Sequence, residues 1–534
     1  MNQKPPYSFH YFMFPFRFDK IYESFDNKYE YYQKYSFDKR VKKPLESIKD
    51  SLEKDNWEYK KFEIKSHLEY NELAYFYDFT KEVLFNTQEF KENSTSYYFE
   101  KKLAESEKSY IIEILKKENY QNPNEVTFQK KYTLYLDSIS LRVFDTGIAI
   151  LTYEVLNFDY KDIEDILRIN DFGRRVYPQF LGEDFNLQNP KNTFLPNFTE
   201  VAGIKEDFNK SYKNNNSIIL PKFITQILGE NTFSAHSNTL EKFFIQPVVD
   251  DRMFVVSWYG NDEFSKSLKE IDFYKIFEDN KKTNWILKWH YNNWYRYIFV
   301  DGGDITVQNK YMQKELTLKA SYLRWQNYGT FFGISRYSFV CLTNRDFFGT
   351  NIILSHMKSL YFQLFTILLA QRASIIRFSD EITAVINEKN SNELANNVSS
   401  LYKNYLQFRS KLFFKEVTAQ EQGIEIYQQA KEIMEIENHL NETDSEIKSL
   451  NEYAKLEIEK KENKEMKTLS WIAAIFVPGT FVAGLAGMNV FNGEEKGKSL
   501  HIDNYEWMWG TFGVMFILTA IVIFLLYYFN KKDD

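Results

Sequence analysis

Residues 469–488 read LSWIAAIFVPGTFVAGLAGM, twenty positions without a charged side chain. A helix rises 1.5 Å per residue, so this run is long enough to cross the ~30 Å hydrocarbon core of a bilayer. A second charge-free run, WMWGTFGVMFILTAIVIFLLYYF, fills residues 507–529. Its ends carry Trp507, Trp509, Tyr527 and Tyr528, and amphipathic rings prefer the headgroup level. Two transmembrane helices are predicted. Lys455, Lys460, Lys461, Lys464 and Lys467 precede the first and Lys531 and Lys532 follow the second, while the connecting loop holds only Lys496 and Lys498. By the positive-inside bias both termini face the cytosol. Glu494, Glu495, Asp503 and Glu506 then lie on the outside, where an acidic loop raises the local cation concentration.

Upstream of the first run the chain reads as helix. Between positions 351 and 477 glycine occurs once, at Gly423, and proline not at all. From 423 to 467 Ile426, Ile433, Leu440, Ile447 and Ala454 fall seven apart, with Ile436, Thr443 and Leu450 three residues after three of them. Such a seam predicts one long helix packed against others, a stalk leading into the membrane. The apolar segment 360–370, LYFQLFTILLA, is bracketed by Lys358 and Arg372 and is too short to span, so a buried cytosolic helix is expected there.

Before about residue 345 the pattern changes to α/β. Residues 132–157 alternate apolar and polar around Asp145-Thr146-Gly147, which predicts a β-hairpin. Strand-like runs follow at 243–259, 297–307 and 328–342, with a helical pattern at 161–172. A mixed or antiparallel sheet is expected. The predicted architecture is therefore an α/β cytosolic domain, 1–345; a helical region with a long stalk helix, 346–466; and an all-α two-span pore. The pore comprises a first transmembrane helix, 467–489, an extracytoplasmic loop, 490–506, a second helix, 507–530, and a cytosolic tail, 531–534.

Composition narrows the function classes. Aromatic residues make up 18% of the 534, with few Gly and Pro, so most of the chain has the material for large cores. A net charge of −7 argues against a groove for duplex nucleic acid, which needs concentrated Lys and Arg. The single cysteine, Cys341, excludes an internal disulfide framework and fits a reducing cytosol. Residues 1–20 lack the order of a signal peptide. Seven scattered histidines lack the i, i+4 pairing of a helical zinc site, and no phosphate-loop, nucleophile-elbow or dinucleotide fingerprint occurs. No enzymatic chemistry and no cofactor are expected. Asp301-Gly302-Gly303-Asp304 reads as a turn, and Arg174-Arg175 and Gln371-Arg372 as structural ion-pair partners more readily than phosphate ligands.

The first membrane run ends in Gly487-Met488-Asn489. That tripeptide closes the first of two C-terminal spans, behind a long helix and before an acidic loop, and in this position the region from about residue 464 onward resembles the CorA family of divalent-cation channels. Met466, Leu469, Ala473, Val477, Thr480, Gly484 and Gly487 recur at spacings of three and four, which puts them on one face of one helix. By itself such a small, weakly polar face equally suits helix packing. The resemblance implies a homopentamer whose first span lines the pore with that face. It also implies a selectivity site at Gly487, Met488 and Asn489, where five Asn489 amides hold a hydrated Mg2+, an ion that dehydrates reluctantly. Met466 and Leu469 offer a hydrophobic constriction and Thr480 a polar ring, while Pro478 frees a backbone carbonyl. Ala486 stands where the family commonly has an aromatic residue, and its Met-Pro-Glu-Leu loop sequence is absent.

Two functions follow from the resemblance. One is a plasma-membrane, multi-pass divalent-cation channel whose cytosolic domain senses the transported ion through carboxylates between subunits. The other is an effector, because some CorA-like proteins with enlarged soluble domains are encoded beside type III CRISPR systems. For those the resemblance implies gating by a nucleotide second messenger and membrane disruption in antiviral defence. Aromatic faces that stack bases agree with this alternative.

Overall fold

The computed structural model describes residues 4–20, 45–87, 94–116, 128–176, 198–208, 220–236, 238–249, 252–276, 285–303, 305–386 and 391–487, with ten further positions between 509 and 524. Two compact units divide the chain: residues 1–387 with 397–448, and residues 388–396 with 449–534.

The first unit is built on a 14-stranded sheet. Its main strands are β1 (Ser8–Lys20), β2 (Ser109–Lys116), β3 (Phe128–Phe144), β4 (Ile148–Asn157), β5 (Phe243–Pro247), β6 (Phe254–Gly260), β7 (Phe331–Ile334) and β8 (Ser338–Thr343). They run in the order β7-β8-β6-β1-β4-β3-β2, with β5 also beside β1. Pairing is antiparallel apart from a few neighbours such as β6 and β8, so the sheet is mixed, as the sequence predicts. The main helices are α1 (His67–Tyr75), α2 (Ile163–Gly173), α3 (Trp285–Phe299), α4 (Leu360–Ile386), α5 (Ser391–Lys411), α6 (Glu421–Ile433) and α7 (Ile436–Gly487).

Strand β1 shows why the sheet needs cover on both sides. Its sequence SFHYFMFPFRFDK is apolar at nearly every position, and residues 8–19 are all buried. On one face Tyr11 packs against Phe362 of α4, ring centroids 4.2 Å apart, and Phe9 lies beneath the Lys358 ammonium. On the other, the His10 ring bonds Asn170 Oδ1 of α2 at 2.7 Å and Phe12 abuts Gly173, where an added Cβ would meet its ring at 2.6 Å. Pro15 sits where β1 exchanges one partner for another, β6 opposite residues 8–13 and β5 opposite residues 16–20. A residue that cannot donate to a ladder is tolerated at such a gap.

The predicted hairpin is β3–β4, turning at Gly147 with φ +76°. A side chain there would be strained and would also lie 2.0 Å from Arg377 Nη1, so glycine serves the turn and the close approach together. The segment 297–307, expected as a strand, is instead the end of α3 and the turn after it. Its aromatic residues favour strands locally, but Tyr291, Trp294, Tyr297 and Ile298 are buried at helical spacing, and packing decides. The turn 301–303 is held by Asp301 Oδ2, which accepts from Thr306 N at 2.9 Å. Arg175 pairs with Asp171 at 2.7 Å, and Arg372 donates to the Arg336 carbonyl at 2.7 Å, both structural roles.

Among the described residues, the helical stretch Phe348–Ile386 is the one long and apolar enough to cross a membrane. It is 72% buried over its apolar window, so it serves as a core helix, in line with the reading of residues 360–370.

The seam of the expected stalk is buried at Ile426, Ile436, Leu440, Thr443, Ile447, Leu450 and Ala454, while Ile433, at the end of α6, is only half-buried. The stalk is not one helix, however. It is broken between α6 and α7 at Glu435, whose φ is +56°. Met434 and Ile436 on either side are fully buried, and one left-handed residue changes the helical phase so that both face inward. For a glutamate that conformation costs about 1–2 kcal/mol. Arg336 offsets it, bonding the Ile433 carbonyl at 3.3 Å and pairing with the Glu435 carboxylate.

Candidate functional site

Helix α7 carries every described residue of the expected pore face. It runs for 52 residues and continues through Pro478 to Gly487. Below the apolar stretch its charged side chains pair along the helix, as Lys460 does with Glu457 at 2.8 Å, and Lys461 reaches Asn392 of the same unit at 3.0 Å. From Met466 onward the surface changes. Met466 and Leu469 are each 67% exposed and Val477 is 60% exposed. Ala473, Thr480 and Gly484 are exposed beside them, and nothing stands within 4 Å of a Cβ built at Gly484. Ile472 and Phe476, off this stripe, are exposed too.

A helix bare of cover and apolar on more than one face needs a non-aqueous surrounding or further helices. Thr480 directs its hydroxyl to the Phe476 and Val477 carbonyls, 3.0 Å from each, so its own helix satisfies it. The structure thus brings Met466, Leu469, Ala473, Val477, Thr480 and Gly484 together on α7, with Gly487 as its last residue. Met488, Asn489, Glu494 and Glu495 lie outside the described residues. Of the segment expected as the second span, Trp509, Val514, Phe516, Ile517, Ile521 and Phe524 are described and exposed.

In the first unit α4 is the polar spine. Arg377 is buried and donates to Asp19 at 2.9 Å, to Glu381 at 2.7 Å and to the Gly147 carbonyl at 2.5 Å. Burial opposes its charge, but Asp19 and Glu381 outweigh that and raise its pKa. Toward the start of α4, Lys358 pairs with Glu154 at 2.5 Å and Asp137 at 3.3 Å. Arg142 donates to the Gln363 side chain at 3.1 Å, and Gln363 in turn donates to Glu72 at 3.0 Å. Burial pushes the Glu72 carboxyl up to about 7, against the pull of Gln363 and Arg142. Asp145, in the hairpin turn, is pushed up to about 6 by burial, partly relieved by Lys411 at 3.6 Å. Sequence reasoning missed this row because its members come from segments far apart in the chain. Among the described residues no three His, Cys, Asp or Glu side chains are grouped to hold a metal ion within one subunit.

The described residues thus combine a mixed-sheet unit, a buried helical seam and a terminal helix with exposed apolar faces. Residues 344–532 match the family described as CorA-like Mg2+ transporter protein. The cobalt/magnesium transport protein CorA of Thermotoga maritima is 35% identical over 75 residues, which is 14% of this chain and 19% of the relative. The chain thus spans about a fifth of the length of that curated relative. Residues 1–343 lie outside the family match.

Proposed function

We propose that this chain is the subunit of a CorA-like channel for divalent cations, Mg2+ foremost, and that it needs no cofactor and performs no enzymatic reaction. The observation that carries this reading is the exposed stripe on α7, which leads along one face to Gly487 and so to Met488 and Asn489. A single pair of spans encloses no water-filled path, so five copies surround the pore, each turning the stripe inward. Asn489 amides hold the hydrated ion at the outer mouth, Thr480 forms a ring within, and Met466 and Leu469 close the cytosolic end by dewetting. Both termini face the cytosol of a plasma membrane, and Glu494 and Glu495 draw cations to the outer entrance.

Divalent flux into proteoliposomes tests this. Asn489→Ala is expected to abolish selective conduction while leaving assembly intact, because it alters the ion ring and not the helix packing. Normal Mg2+ flux in that variant removes the pore assignment.

A second reading is favoured by the size of the part outside the family match, residues 1–343. A 14-stranded sheet with helices on both faces exceeds what a sensor of the transported ion requires. On this reading the chain is the CRISPR-associated effector, opened by a nucleotide messenger. Gene neighbourhood and flux measured with and without nucleotides separate the two.

A further inference from the structure

Between α6 and α7 only Glu435 has a left-handed backbone, and Met434 before it keeps near-helical angles of φ −82° and ψ −5°. Resetting that one residue would join the two into a single helix. The heptad positions Ile426, Ile433, Leu440, Ile447 and Ala454 already keep step across the joint, as a continuous helix requires. In the broken form, however, Ile433 is half-buried while Met434 is fully buried. On a continuous helix Ile433 would enter the seam in line with Ile436 and Leu440, and Met434 would turn out. One apolar side chain replaces another of similar volume, an exchange that cores tolerate at small cost.

Two groups hold the break. Arg336, in the turn between β7 and β8, donates Nε to the Ile433 carbonyl at 3.3 Å and pairs with the Glu435 carboxylate. In an unbroken helix that carbonyl would accept from the Glu437 amide, so the guanidinium stands in for a backbone donor. Arg372 of α4 fixes the turn by donating to the Arg336 carbonyl at 2.7 Å. Lys431 is buried with its ammonium over the Phe413 and Tyr427 rings, 5.2 and 5.4 Å from their centroids, and pairs with Glu437 at 2.5 Å. Lys431 and Glu437 are not neighbours on a regular helix, where partners stand three or four residues apart, so this pair depends on the break. Four residues after Lys431 stands Glu435, the partner that a continuous helix would supply.

We propose that the α6–α7 joint is a two-state element, held broken by Arg336 and by the Lys431–Glu437 pair. On release Glu435 returns to helical angles, Lys431 exchanges Glu437 for Glu435, Ile433 replaces Met434 in the seam, and the two helices become one. The start of α7 thereby changes its direction and facing relative to α6. The joint stands independently of the channel reading, and only an effect on the pore rests on it.

Hydrogen–deuterium exchange of the detergent-solubilised full chain tests the proposal. The amides of Ile436, Glu437 and Asn438 open α7 and have no acceptor within it, whereas a continuous helix gives them the carbonyls of Glu432, Ile433 and Met434. Arg336→Ala combined with Glu437→Gln removes both holds, and these three amides should then exchange about tenfold or more slowly than in the wild type. Glu437→Gln alone, at an exposed position, should act in the same direction by about twofold to threefold, with the melting temperature unchanged, which guards against a folding defect in the double variant. Adding Glu435→Gly, which suits the left-handed conformation, should return the double variant to the wild-type rate. Exchange at 436–438 that stays constant or quickens in both the single and the double variant overturns the proposal, because the break is then a fixed corner. Protection that Glu435→Gly does not reverse overturns it as well. A chain whose joint responds as expected but which fails to conduct Mg2+ leaves the joint standing and removes the channel.

Discussion

Arg377→Met removes a buried cation that joins the end of β1, the β3–β4 turn and α4. The guanidinium holds Asp19 at 2.9 Å and Glu381 at 2.7 Å in a site with almost no solvent access. Breaking a buried ion pair by deleting one partner costs about 3–5 kcal/mol, because the remaining charge is stranded. Asp19 keeps Arg17 at 3.3 Å, and the Gly147 carbonyl keeps the Phe18 amide at 3.1 Å. The stranded group is therefore chiefly Glu381, and the lower end, about 3 kcal/mol, applies. A methionine of similar length fills most of the space, so the loss is electrostatic and not a cavity.

Hydrogen–deuterium exchange of the full chain reads this locally. Peptides covering the end of β1, residues 145–148 and the second half of α4 should exchange about 100-fold faster, since 1.4 kcal/mol is a factor of ten in the opening equilibrium. Adding Glu381→Gln to Arg377→Met neutralises the stranded carboxylate and should recover most of the protection. Should Arg377→Met leave exchange within threefold of wild type, or should Glu381→Gln restore nothing, the network would not be what ties α4 to the sheet.

Other outcomes are expected. Glu72 titrates at about 7 in the fold, above its ordinary 4.5, so the fold favours the protonated form. Its stabilising contribution is full below pH 4.5 and is lost as pH rises through 7, by about 3 kcal/mol at most. Glu72→Gln, which keeps an acceptor for Gln363, should raise the melting temperature at pH 8 and change it little at pH 5; equal shifts at both would show that Glu72 is not protonated in the fold. Native mass measurement in mild detergent should find five copies, and a conducting monomer or dimer would exclude a pore shared between subunits.

Much of the chain's organisation is written along the sequence, because some signals are local. The hairpin at Gly147, the helical character after residue 350 and the buried segment 360–370 rest on periodicity and turn chemistry within a few residues, and each is found in the structure. The Gly487-Met488-Asn489 tripeptide between a charge-free run and an acidic loop pointed to the CorA-like region, which the match over residues 344–532 bears out. The spacing of Met466, Leu469, Ala473, Val477, Thr480 and Gly484 placed them on one helix face, since α7 holds them in unbroken register.

What the sequence could not decide depends on partners distant along the chain. The aromatic run ending at Tyr297 and Ile298 suits strand or helix, and became α3 because its rings bury at helical spacing against β7 and β8. The heptads run straight through Glu435, yet the helix breaks there. Only the packed core requires Met434 and Ile436 to face inward together, and Arg336, a hundred residues earlier, receives the break. The Arg377 network has the same origin. It joins segments far apart in the first unit, and a juxtaposition made by folding leaves no spacing to read in the unfolded chain.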